Sequence, residues 1–239
     1  MNYAIIVAGG TGSRMGSTTP KQFLLLNGIP VMMHAINAFY ESKHAPHIIA
    51  VIHPDMQAYW LELCETYHFH VQHTIADGAD SRFGSVKNGL EVIRLLDKNQ
   101  SQSLIAIHDA VRPLVNPHQI DLTYEQAALT GAAALAIQST NSIRLISGDG
   151  SSNNAYPREN VYLMQTPQIF KGSILFEAYE QPEDKMCTDD AAVVEKKGYP
   201  ITLVDGDTRN IKITFRDDLA IAELLLEARH SGGTSDNSQ

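Results

Sequence analysis

The sequence predicts an α/β fold, a doubly wound and mostly parallel sheet covered by helices on both faces, with a protruding β-arm. Three observations predict it. Short, β-branched apolar runs recur at roughly 25-residue spacing with helix-period segments between them, the rhythm of strand–helix–strand units. Runs such as Ile48 to Ile52 are continuously apolar, as strands buried on both faces require. A glycine-rich loop follows the first run directly, at the edge where parallel sheets gather their ligand-binding loops.

Tyr3 to Val7 is the first strand, and the loop runs from Gly9 to Gly16. Val31, Ala35, Ala38 and Phe39 fall on one face of a helix over Val31 to Tyr40. Ile48 to Ile52 is a buried strand, and Asp55 caps a helix running toward Tyr67. Val86, Leu90 and Ile93 mark a helix over Ser85 to Leu96, and the strand Leu104 to Ile107 ends at His108-Asp109. Pro117 opens a helix to Leu129, before a strand over Ala132 to Ile137. The rhythm then breaks between about Gln138 and Asn160. The turn-rich Ser147 to Asn154, flanked by Ile143–Ile146 and Val161–Leu163, predicts an extended hairpin arm, a surface loop being the alternative on composition. Helices near Lys171 to Tyr179 and Asp189 to Lys197 follow, then strands Ile201 to Val204 and Ile211 to Thr214. A closing helix carries Leu219, Ala222 and Leu226. The expected organisation is one domain over 1–230, with 138–160 as the arm and 231–239 as a flexible tail.

Composition narrows the function. A 239-residue chain with 44% hydrophobic residues builds a real core. Its net charge of −9, with no basic tract interleaved with aromatics, argues against nucleic acid and anionic membranes as partners. A polyanionic small substrate would need a few placed Arg and Lys. Cys64 and Cys187 are far apart and suit a reducing cytoplasm as inert packing residues. The N-terminus lacks a cationic signal region, and no apolar run approaches the roughly 18 residues that span a bilayer, so a soluble cytoplasmic protein is expected. His44, His47 and His53, and His68, His70 and His73, have no acidic partner at a zinc-ligand spacing.

The loop reads Ala8-Gly9-Gly10-Thr11-Gly12-Ser13-Arg14-Met15-Gly16, with Pro20-Lys21-Gln22 just beyond. Glycines let the backbone approach phosphate and aim N–H groups at it. Gly10, Gly12 and Gly16 have one residue too many for a dinucleotide fingerprint, which disfavours an NAD-dependent dehydrogenase, and no P-loop Gly-Lys-Ser/Thr is present. Instead two cations, Arg14 and Lys21, flank the glycines, suited to charge that builds on a triphosphate under attack.

This segment, continuing through Pro20-Lys21-Gln22-Phe23, resembles the nucleotidyltransferase signature, and more narrowly the 2-C-methyl-D-erythritol 4-phosphate cytidylyltransferase family. The likeness extends through Asp80-Ser81-Arg82-Phe83-Gly84-Ser85-Val86, His108-Asp109-Ala110-Val111-Arg112-Pro113, Gln165-Thr166-Pro167-Gln168, Thr188-Asp189-Asp190-Ala191 and Asn210-Ile211-Lys212, in the family's order. The resemblance implies that Arg14 and Lys21 bind the triphosphate and stabilise the transition state. Ala8, Gly9, Gly10, Thr11, Gly12, Ala79 and Asp80 would flank the cytosine, with Ser85 hydrogen-bonding it. Asp109 would meet either the ribose or Mg2+. Arg112, Thr140, Arg158, Thr166, Thr188 and Lys212 match positions that hold methylerythritol phosphate, with Arg158 and Lys212 as partners of its phosphate. A homodimer is also implied, each arm completing its neighbour's pocket. The family's usual Asp before Asn-Ile-Lys is Arg209 here, and the second Ala of its His-Asp-Ala-Ala-Arg-Pro is Val111; Arg209 adds a cation near the phosphate end.

Read without the family, several residues keep a second meaning. Arg158, between Pro157 and Glu159, reads more readily as a surface ion pair, and Asp109 reads equally as the cap of a turn. Lys212 is better read as functional, since an unpaired buried ammonium is costly and strand alternation aims it at one sheet face. The expected reaction is nucleotidyl transfer: CTP and methylerythritol phosphate give the cytidine diphosphate adduct and pyrophosphate, in non-mevalonate isoprenoid synthesis. Ribitol 5-phosphate cytidylyltransferases share most blocks and are the nearest alternative, separated by Ser81 to Val86 and Thr188 to Ala191; a non-catalytic nucleotide-binding module is a further one.

Overall fold

Successive residues of the first strand face opposite ways. Ala4, Ile6 and Ala8 pack into one hydrophobic layer, Tyr3 and Ile5 into another, so neither face of the sheet can be left to water. The computed structural model, which describes residues 1–9 and 19–232, shows how both are covered. Strands are β1 Asn2–Ala8, β2 Leu25–Leu26, β3 Ile29–Pro30, β4 His47–Ile52, β5 Thr74–Asp77, β6 Leu104–Asp109, β7 Ala132–Gln138, β8 Ile143–Ile146, β9 Asn153–Tyr156, β10 Tyr162–Lys171 and β11 Thr202–Asp205. Helices are α1 Val31–Tyr40, α2 Pro54–Thr66, α3 Arg82–Leu96, α4 Pro117–Thr130, α5 Gly172–Ala178, α6 Asp190–Lys196 and α7 Arg216–Gly232.

Seven strands form the central sheet in the order β11-β7-β10-β6-β1-β4-β5. Only β10 runs against its neighbours, pairing antiparallel with β6 and β7, so the other strands share one carboxyl edge. Along that edge Ala8 is level with Ile52, and Val7 with Asp109. Met33, Ile36 and Phe39 of α1, Trp60 of α2 and Tyr124 of α4 bury one face. Val86, Leu90 and Ile93 of α3, Leu175 of α5 and Val194 of α6 bury the other. Leu26, Leu114, Ile213 and Ala222 form a smaller cluster that seats α7.

The predicted α/β architecture is therefore present, with differences of detail. Tyr162–Lys171 is a long sheet strand where the sequence suggested only the second flank of an arm; the arm itself is β8 paired with β9. Ile211 to Thr214 joins no sheet; Ile213 N–H donates to the Val111 carbonyl at 2.9 Å instead. His53, not Asp55, caps α2, its Nδ1 accepting the Asp55 N–H at 3.3 Å. Helix α7 continues to Gly232, past the expected boundary of the tail. Among the described residues no helix is long and apolar enough to cross a membrane. Two of the histidines have local hydrogen-bond partners: His73 accepts from the Trp60 indole at 3.0 Å, and His47 bonds Thr74 at 2.8 Å. Both cysteines are free thiols, and burial pushes Cys64 up to about 11.

Candidate active site

Chain order reverses across β1: β4 and β5 lie to one side, β6 to the other. A crevice opens beyond the carboxyl ends at such a switch point, and this one is lined by Val7, Ala8 and Gly9 at the end of β1 and by Asp109 and Val111 at the end of β6. The loop 78–81 forms its third wall. Gly9 allows that wall to come close, because a Cβ there would stand 2.7 Å from Ser85 Oγ. Ser85 is 1% exposed. Its hydroxyl donates to the Ser81 carbonyl at 2.9 Å and accepts the Ala79 N–H at 3.0 Å, fixing the loop that carries Ala79 and Asp80. Lys21 borders the same crevice, on a short helical turn over Lys21–Phe23. That turn is tied down by Gln22 Nε2, which donates to the Ala8 carbonyl at 2.8 Å, and by Phe23 stacked on Trp60.

Asp109 is the electrostatic centre. Lys212 Nζ lies 2.8 Å from Oδ2, Arg82 Nε 3.3 Å from Oδ1, and Arg112 Nε 3.8 Å from Oδ2. Burial alone would raise this carboxyl, but the charges of Arg82, Lys212 and Arg112 hold it far below the usual carboxylate range. Beneath it, burial lowers His108 to about 4, so the ring is neutral near pH 7. Its Nε2–H donates to the Arg112 carbonyl (3.1 Å), which makes Nδ1 the acceptor for the Thr166 hydroxyl (3.0 Å). Thr166 Oγ1 in turn accepts the Asp109 N–H at 3.1 Å. Thr166 reaches this position because β10 bulges between Met164 and Gln168. Asn210 then links this bulge to the segment bearing Lys212, donating to the Thr166 carbonyl at 2.9 Å.

A second recess adjoins the first and shares Arg82, Asp109 and Lys212 with it; Arg112, Thr166 and Thr188 also line it. The structure thus gathers Ala8, Gly9, Lys21, Ala79, Asp80, Ser85 and Asp109 around one recess, and Arg112, Thr166, Thr188 and Lys212 around its neighbour. Thr140 and Arg158 lie together at the base of the arm, Arg158 Nη1 donating to the Thr140 carbonyl at 2.9 Å, and line neither recess. Gly10, Thr11, Gly12 and Arg14 fall outside the described residues. Arg209 turns to Asp207, Nε and Nη2 both within 3.2 Å of its carboxylate, and lines neither recess.

Sequence reasoning passed over Arg82, which stands between the two recesses, and the buried Asp190 to which it is forked. The available signal was a charged residue directly after the helix cap Ser81, in a block otherwise read as a cytosine slot. Among the described residues no cluster of three or more His, Cys, Asp or Glu could hold a resident metal ion. Asp109 supplies the one carboxylate that an ion arriving on a triphosphate would use, since Mg2+ takes one or two carboxylates plus phosphate and water oxygens, but Lys212 and Arg82 already face its two oxygens and would have to yield one.

Residues 2–228 match the 2-C-methyl-D-erythritol 4-phosphate cytidylyltransferase family. Over 224 residues the chain is 45% identical to the protein of that name from Phocaeicola vulgatus, covering 94% of this chain and 99% of that one. It is 45% identical over 225 residues to the Porphyromonas gingivalis protein of the same name, covering 94% and 97%. The crystal structure of 4-diphosphocytidyl-2C-methyl-D-erythritol synthase from Anaerococcus prevotii superposes with a TM-score of 0.78 at 27% identity, over 95% of this chain and 99% of that one. With the fold and nearly the whole sequence in agreement, the chain belongs to the 2-C-methyl-D-erythritol 4-phosphate cytidylyltransferase family.

Proposed function

We propose that the protein joins CTP to 2-C-methyl-D-erythritol 4-phosphate, giving 4-(cytidine 5′-diphospho)-2-C-methyl-D-erythritol and pyrophosphate, in the cytoplasmic non-mevalonate route to isoprenoids. The observation that carries this reading is the pair of adjoining recesses in a chain of this family, one walled by Ala8, Gly9 and the 79–81 loop, the other ringed by cations, with Asp109 and Lys212 between them. CTP occupies the first. Ser85, having donated its proton to the Ser81 carbonyl, faces the base as an acceptor, which suits the amino group of cytosine. The sugar-alcohol phosphate occupies the second, held by Arg112, Thr166, Thr188 and Lys212, with Thr140 and Arg158 brought by the arm of a second subunit.

The substrate phosphate is already ionised near pH 7, so no general base is needed. One of its oxygens forms a bond to the α-phosphorus of CTP, and the bond to the bridging oxygen breaks in line. The electron pair leaves with pyrophosphate. Lys21 and Arg14 stabilise the charge that grows on the triphosphate, and the fixed hydrogen bonds of Asp109, Thr166 and His108 keep the two recesses in register. Asp109 would be the residue to hold a Mg2+ ion arriving with the phosphates, and such an ion would supply further charge neutralisation.

Pyrophosphate release with CTP and either methylerythritol phosphate or ribitol 5-phosphate tests the assignment. Turnover with the methylerythritol compound alone is expected; turnover with ribitol phosphate instead would move the protein to the alternative. Comparable kcat/KM with ATP or GTP would remove the cytosine slot.

A further inference from the structure

The cations around Asp109 are not held alike. Arg112, with a side chain 12% exposed, donates to the carbonyls of Asn210 (2.8 Å) and Met164 (3.5 Å). Arg82 forks onto Asp190, Nη1 to Oδ1 at 2.8 Å and Nη2 to Oδ2 at 2.7 Å. Asp190 is fully buried and receives the Tyr179 hydroxyl at 2.5 Å, and the Tyr179 ring stacks on Phe83. Lys212 meets Asp109 through one ammonium on a flexible stem, and its 42% exposure is the greatest of the three. An anion entering the second recess therefore competes most readily for Lys212. Its departure would leave Asp109, only 10% exposed, short of a partner, and an uncompensated buried charge is costly. The Nε–H of Arg82 already points at the other oxygen of Asp109, and the fork on Asp190 keeps Arg82 from following the anion.

We propose that Arg82 is a positioning residue: anchored on Asp190, it keeps Asp109 compensated while Lys212 exchanges Asp109 for the phosphate of the sugar-alcohol substrate. The proposal rests on the reading that Lys212 serves that phosphate. Only ion pairs are exchanged, and no covalent bond changes. Two carboxylates and three cations leave this cluster one positive charge with which to attract the anion.

Arg82→Lys tests it, since one ammonium retains a cation opposite Asp190 but cannot fork onto it and reach Asp109 as well. KM for methylerythritol phosphate is expected to rise at least ~10-fold, with KM for CTP and kcat changing less than ~3-fold. In an Asp109→Asn background, where no carboxylate awaits compensation, the same substitution should shift that KM by less than ~2-fold. Equal shifts in both backgrounds would reduce Arg82 to a structural tie and overturn the proposal. Should Arg82→Lys not fold, calorimetric titration of inorganic phosphate into wild type and Asp109→Asn decides the matter. Removing the competitor should tighten phosphate binding at least ~3-fold, and unchanged or weaker binding would overturn the exchange. A wild-type protein without turnover would sink the functional reading itself, while the phosphate titration would still judge the exchange.

Discussion

The surroundings of Asp109 and the β8–β9 hairpin are built on opposite plans. Around Asp109 the polar side chains are tied to one another within the chain: His108, Thr166, Arg112 and Asn210 are linked through buried hydrogen bonds, and Arg82 is locked by Asp190. The hairpin leaves Leu145 53% and Ile146 70% exposed, and an isolated two-stranded ribbon is marginal in water. The contrast teaches which part of the proposed site a single chain can preorganise. Among the described residues, the recess proposed for the nucleotide is walled by this one chain. Arg158 and Thr140, expected to hold the sugar phosphate, stand at the unfinished end.

The largest effect should come from the finished half. Lys21→Ala is expected to lower kcat at least ~100-fold, the scale of losing a preorganised charge contact, with little change in stability; Arg14→Ala should do the same. Steady-state pyrophosphate release and thermal melts measure both. Full activity in either variant would empty the cleft of its proposed role.

The unfinished half is tested by mixing. Arg158→Ala and Lys21→Ala chains, each inactive alone, should regain activity when their subunits exchange, because a mixed dimer holds one site with both residues intact. At equal amounts half the dimers are mixed, so about a quarter of all sites should work. No recovery despite proven exchange would mean that each pocket comes from one chain. Smaller still is the effect on assembly: Ile146→Lys places a charge where a partner arm would bury an apolar side chain, and sedimentation should show the dimer weakened at least ~10-fold. An unchanged association constant would place the interface elsewhere.

The same contrast governs what could be read from the sequence. Periodic apolar patterns exposed the layers, since Ile48–Ile52 and Val31–Tyr40 have no other way to bury their side chains. Family blocks exposed Asp109, Arg112, Thr166 and Lys212, which the structure brings together. The length of strand β10 beyond Leu163 escaped notice because Gln165, Thr166 and Gln168 interrupt the apolar run; they are polar because they serve a buried network. The opposite error arose at Ile211 to Thr214, where alternation imitates a strand but the apolar positions seat α7. Arg82 was invisible as a hub because its partner Asp190 lies 108 positions away. The arm was legible as an interruption, but its strand pairing was misassigned, since nothing in composition distinguishes β9 from the start of β10.

Acid sensitivity gives the finest separation of the two regions, because folding is linked to the protonation of His108 between pH 6.5 and about 4, whereas residues 143–156 contain no histidine. Burial lowers His108 from 6.5 to about 4, against the opposing pull of Asp109. The unfolded chain therefore takes up a proton at this position before the folded one does. Stability is fully present above the ordinary value of 6.5 and falls as the pH drops toward 4. Between pH 7 and pH 5.5 His108 should cost about 1 kcal/mol of folding stability. Asp109, whose carboxyl is depressed, keeps its contribution above the ordinary carboxylate range and loses it only at more acid pH, outside this window. His108→Gln removes the titrating ring, so urea unfolding at the two pH values should show a drop smaller by about 1 kcal/mol than in wild type, whatever the variant's absolute stability. An identical drop in both proteins would mean that His108 is solvated in solution, and that the hydrogen-bonded platform beneath Asp109 is looser than its geometry implies.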